Sequence, residues 1–173
     1  MRKLIVAVLF SLGLAGCATH APYGNFVENP AGLNQQEIAS DTVEKITELY
    51  PPAKTRFELK QPTPDAFGTA LVRGLRDRGY ALLEFDPEAA KAQQRQQATH
   101  STRTAPNAEA EATPAPANPA PTGSGLPLRY VFDQFTGTNM YRVTIMVGNE
   151  SLTRPYSQES GGIVPAGYWV RKE

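Results

Sequence analysis

The stretch Met140-Tyr141-Arg142-Val143-Thr144-Ile145-Met146-Val147 alternates strictly, with Tyr141, Val143, Ile145 and Val147 on one side and Met140, Arg142, Thr144 and Met146 on the other. A sustained period of two is a strand with one buried face. Working outward, Gly137-Thr138-Asn139 supplies a hairpin turn. Before it, Leu128, Tyr130 and Phe132 alternate with Arg129, Val131 and Asp133. On the other side Gly148-Asn149 turns the chain into a strand over residues 151–156, where Pro155 predicts an edge or a strand end. Gly161-Gly162 and Pro165-Ala166-Gly167 bracket the last element, and Tyr168-Trp169-Val170 precedes Arg171-Lys172-Glu173. Residues 125–173 therefore read as the strand-rich half of a domain.

Residues 34–86 read as the other half. Asn34 is placed as a helix N-cap with Glu37 completing a capping box. Ile38, Thr42, Val43, Ile46, Leu49 and Tyr50 then recur at helical spacing until Pro51-Pro52. From Ala53 the period becomes two, with Thr55, Phe57 and Leu59 opposite Lys54, Arg56, Glu58 and Lys60, which predicts a strand. A second helix opens after Pro62, with Thr63 able to cap it, Pro64 at its first position and Asp65 at the positive end of its dipole. Phe67, Leu71, Gly74 and Leu75 form its buried stripe, and Gly74 predicts close packing on the sheet. Arg73, Arg76 and Arg78 face water, Gly79 stops the helix, and residues 80–85 follow as a strand. Two helices on one face of a mixed or antiparallel sheet make the fold α+β.

Residues 87–124 separate the halves. They hold no aromatic residue and no Val, Ile, Leu or Met, and Pro114, Pro116, Pro119 and Pro121 alternate with small residues. Nothing there offsets the entropy of ordering, so the segment is expected to be a disordered insertion. It serves either as a docking arm or spacer, or as a tolerated loop that costs little beyond closure.

At the start, Arg2 and Lys3 precede an apolar stretch over residues 4–14 that ends in Leu14-Ala15-Gly16-Cys17. A basic start, a short apolar core and small residues before a cleavage point make an export signal over residues 1–16. The core is about half the ~20 residues needed to cross a bilayer. Cys17 is the sole cysteine, and its setting resembles the bacterial lipobox, in which the thiol carries diacylglycerol. Lipidation at Cys17 is therefore expected, with residues 17–33 as a flexible tether. Ala18 and Thr19 follow with no aspartate, which resembles the sorting signal for the outer membrane in enteric bacteria.

Without Arg2 and Lys3 the chain keeps 15 basic against 17 acidic residues, a net charge of −2. That balance offers no general field for a nucleic-acid backbone, so no direct nucleic-acid contact is expected. No catalytic constellation emerges, and no enzyme activity, cofactor or metal is expected. His20 and His100 both fall in segments read as flexible, and Gly161-Gly162 precedes a strand rather than a helix, unlike a phosphate loop. Tyr156, Tyr168 and Trp169 lie among glycines and prolines, where a large ring is hard to bury, and are the candidate partner contacts. Trp169 is either such a contact or the closing piece of the core.

The stretch Tyr50-Pro51-Pro52-Ala53-Lys54-Thr55-Arg56-Phe57 resembles the TrbH family of conjugal transfer proteins. So do Pro62-Thr63-Pro64-Asp65-Ala66-Phe67-Gly68, Arg78-Gly79-Tyr80 and Pro165-Ala166-Gly167-Tyr168-Trp169-Val170-Arg171. The lipobox with Pro22-Tyr23-Gly24-Asn25-Phe26 is similar too. The resemblance implies an outer-membrane, periplasm-facing lipoprotein of a mating-pair-formation, or type IV secretion, apparatus. Its partners would be other core proteins of the channel, and the membrane through its anchor. The element order is also similar to secretin amino-terminal domains, which implies a homo-oligomeric ring. The alternative is a stand-alone envelope lipoprotein that binds cell wall or a small ligand.

Overall fold

The computed structural model describes residues 22–28, 30–92, 95 and 125–173. In chain order the elements are β1 (Gly24–Asn25), α1 (Gln35–Leu49), β2 (Arg56–Leu59), α2 (Ala66–Asp77) and β3 (Ala81–Leu83). After the insertion come β4 (Leu126–Gln134), β5 (Met140–Val147), β6 (Glu150–Glu159), β7 (Gly162–Pro165) and β8 (Val170–Lys172). The strands form one open mixed sheet in the order β3-β2-β4-β5-β6-β7, with β1 beside β4 and β8 beside β6. Strands β4 to β7 are an antiparallel meander, while β1 and β2 both run parallel to β4, and β3 parallel to β2. The fold is α+β.

Alternation sets the register. Tyr141, Val143, Ile145 and Val147 pair with Gln134, Phe132, Tyr130 and Leu128. Apart from Gln134, these side chains are buried beneath the helices. Phe67 of α2 lies 5.1 Å, centroid to centroid, from both Tyr130 and Phe132. Each such fully buried side chain contributes about 1.5–3 kcal/mol. One continuous core joins both helices to the sheet, from Leu33 to Ile163.

Local detail departs from expectation in several places. Asp65, not Thr63, caps α2, accepting from Gly68 N–H at 3.0 Å. Residues Pro52–Lys54 form a 3-10 turn, so β2 starts at Arg56 rather than near Ala53. Asn34 caps α1 as expected, but its side-chain amide donates to Glu37 instead of its backbone N–H doing so. Gly74 packs on the other helix, where an added Cβ would lie 3.0 Å from Val43 Cγ2. The close approach of helix to sheet is at Gly68, where a Cβ would lie 2.2 Å from Tyr130 Oη. Strand β6 runs straight through Pro155, because its outer edge is shared by β8, up to Thr153, and β7, from Tyr156.

The tether expected over residues 17–33 is docked wherever it is described. Gly24 and Asn25 pair with Val131 and Phe132, Phe26 N–H donates to Phe132 O, and Leu33 is buried. Residues 87–92, assigned to the insertion, are helical. The rest of the insertion's Ala/Pro sequence, residues 96–124, lies outside the described residues, as do Cys17, His20 and His100.

Candidate partner-binding region

The carboxyl-terminal aromatic residues occupy three different environments. Tyr156 is only 2 % exposed and belongs to the core, which corrects its assignment as a surface contact. It shares the helix side of β6 with Leu152, and its hydroxyl donates to Asp41 Oδ2 of α1 at 2.5 Å. Burial pushes its pKa up first, and the bond to Asp41 adds to this. Arg154, on the same side of β6, donates from Nη1 to both Asp41 oxygens at 2.8 and 2.9 Å. Its Nε donates to Gly167 O at 2.9 Å, and its guanidinium lies 5.9 Å from the ring centroids of both Tyr156 and Trp169. Asp41 thus orients Arg154, and Arg154 holds the loop that carries the two remaining aromatic residues.

Trp169 is half-buried against the core, and its Nε1 is buried without an acceptor among the described residues. Tyr168 is 91 % exposed, flanked by exposed Val164, Pro165, Ala166 and Val170. Asp41 and Arg154 escaped the sequence reading, although the period of β6 marks Arg154 as a charged residue on the buried face.

A second polar cluster pins the amino-terminal strap. Asn25 Nδ2 donates to Gln35 Oε1 at 3.0 Å and to Asp65 Oδ1 at 3.2 Å. Gln35 Oε1 also accepts from Phe67 N–H at 3.0 Å, and Tyr130 Oη donates to Asp65. Burial, then that bond, raises the Tyr130 pKa. Between β1 and β2 the Tyr130 N–H would be unpaired; Gln61 Oε1 accepts it at 3.0 Å. A groove runs between the helices, floored by Val43, Ala66, Ala70 and Gly74 and flanked by the strap. Arg73 and Arg78 line it without an ion pair among the described residues, while Arg76 pairs with Glu84.

At the far end of α1, Tyr50 and Arg171 both bond Glu150. Burial and Glu150 push Tyr50 up to about 12, and Tyr50 and Arg171 hold the Glu150 carboxyl below its usual range. Among the described residues no three His, Cys, Asp or Glu are grouped to hold a metal. No described helix is long and apolar enough to cross a membrane. The Asp41, Asp65 and Glu150 clusters hold segments in place.

A family model described as "Conjugal transfer protein TrbH" matches residues 20–173. No curated protein and no solved structure matches the chain.

Proposed function

The chain belongs to the TrbH family of conjugal transfer proteins, and from that premise we propose that it is a structural subunit of the conjugative type IV secretion apparatus. It is anchored to the outer membrane through Cys17 and acts by assembling with other channel proteins in the periplasm rather than by catalysis. The family match, spanning every described element, carries this reading. Leu14-Ala15-Gly16-Cys17 supports the anchor. The exposed Tyr168 beside a well-held Trp169 supports assembly, since Tyr and Trp are favoured interface anchors.

A donor strain lacking the gene should lose plasmid transfer while plasmid replication persists. The wild-type gene should restore transfer, and Cys17→Ser should restore it poorly, because an unanchored subunit is not concentrated at the membrane. Undiminished transfer from the null donor would overturn the proposal; normal acylation and fractionation of the Cys17→Ser protein would overturn the anchor alone.

A further inference from the structure

The sheet has a second face that neither α1 nor α2 covers. Register places on it Arg56 and Glu58 of β2, Arg129, Val131 and Asp133 of β4, and Met140, Arg142, Thr144 and Met146 of β5. Thr153 and Pro155 of β6, Val164 of β7, and Val170 and Lys172 of β8 continue it. Lys60 joins by its ion pair with Glu58.

Cations outnumber carboxylates on this face. Five cations (Arg56, Lys60, Arg129, Arg142 and Lys172) stand against three carboxylates (Glu58, Asp133 and Glu159), in a chain of zero formal net charge. Glu58 and Asp133 are taken by Lys60 and Arg142, so Arg56, Arg129 and Lys172 keep no carboxylate partner among the described residues. On α1, beneath the opposite face, Glu37, Asp41, Glu44 and Glu48 outnumber Lys45. Between the cations lie exposed Phe135, Val164 and Val170, the last 63 % exposed.

The first described residues of the chain lie beside this face. Tyr23 stacks with Arg129, its ring centroid 5.3 Å from the guanidinium carbon, immediately before β1. Tyr23 lies only six positions after Cys17, a span of at most about 20 Å when fully extended. We infer that this basic, partly apolar sheet face lies against a bilayer and binds anionic phospholipid headgroups. The short span keeps the face near the lipid surface, and cations beside exposed apolar groups suit the headgroup layer. The span rests on acylation of Cys17; the surface chemistry does not.

The test uses the acyl-free chain from Ala18 onward, which retains every core residue. It is pelleted with vesicles of phosphatidylcholine alone or mixed with phosphatidylglycerol. Binding is expected only to the mixed vesicles, weakening as salt rises. Each lost cation should weaken it about fivefold, so Arg56→Gln with Lys172→Gln should weaken it about twenty-five-fold. Arg73→Gln with Arg78→Gln, on the helix side, removes the same charge and should leave it unchanged.

Equal binding to neutral vesicles, no binding to either, or equal loss in the helix-side variant would overturn the inference. So would vesicle-independent self-association weakened by Glu44→Gln with Glu48→Gln, which would make the face a contact between copies. A failure of acylation would leave all these readings intact.

Discussion

Two tyrosine–aspartate pairs fasten the helices to the sheet, and they are built differently. Tyr130 of β4 reaches Asp65, whose other acceptor sites are filled by neutral donors, the Gly68 N–H and the Asn25 amide. Tyr156 of β6 reaches Asp41, which also carries the Arg154 guanidinium. The first pair is part of a helix cap and fixes backbone: the start of α2, and β1 through Asn25. The second is an ion pair whose cation reaches onward to Gly167 and Trp169, so it places a surface loop. The amino-terminal pair should therefore govern stability, and the carboxyl-terminal pair the presentation of Tyr168 and Trp169.

Gly68→Ala should show the largest effect. The new Cβ would collide with the Tyr130 hydroxyl at 2.2 Å, and that ring is fully buried and cannot swing aside. A loss of about 3 kcal/mol in urea unfolding is expected, near the upper end for overpacking. Wild-type stability would break the claim that the amino-terminal pair governs stability.

Arg154→Ala should cost less, about 1–2 kcal/mol. Removing one member of a buried ion pair costs about 3–5 kcal/mol, but solvent screens this one, whose side chains are 18 % and 29 % exposed. Its signature should be optical: Trp169 loses the guanidinium beside it, and its fluorescence should shift to the red. An unshifted emission would show that the core alone holds the indole.

The smallest effect at neutral pH concerns the tyrosine protons. Tyr50, Tyr130 and Tyr156 all have pKa values raised above 10.0 in the folded state. Above about pH 10 the unfolded chain releases these protons first, so their contribution is full below that pH and fades as pH rises. The melting temperature should fall between about pH 10 and 12, the window set by Tyr50. Tyr130→Phe and Tyr156→Phe should each flatten the fall; identical slopes would remove both pairs from the account.

The meander was legible because β4 and β5 each bury one face, so alternation reports directly on register. Pro155 misled for an instructive reason: a strand can have one continuous neighbour and two discontinuous ones, and the proline falls where the second edge changes partner. Tyr156 misled because its glycine- and proline-rich surroundings suggested exposure, while its spacing from Leu152 was that of a core position. Thr63 reads as the cap and Asp65 as a charge at the dipole's positive end, and the bond from Gly68 N–H makes Asp65 the cap instead. The docking of the strap was illegible, since it depends on Asn25 meeting Gln35 and Asp65, polar residues brought together by tertiary structure alone.

The patchwork edge of β4 has a kinetic consequence. The hairpins from β4 to β7 join near neighbours in sequence, whereas Gly24 meets Val131 across more than a hundred positions and Phe57 meets Leu126 across about seventy. Contacts of such long range pay loop-closure entropy before they return any stabilisation, so they slow folding and tend to form after local ones. The slot for β1 exists only once β4 is in place, since Gly24 and Asn25 pair with Val131 and Phe132. The segment leading toward the amino terminus is thus among the last to be seated, and the first that a pull from that end would unzip.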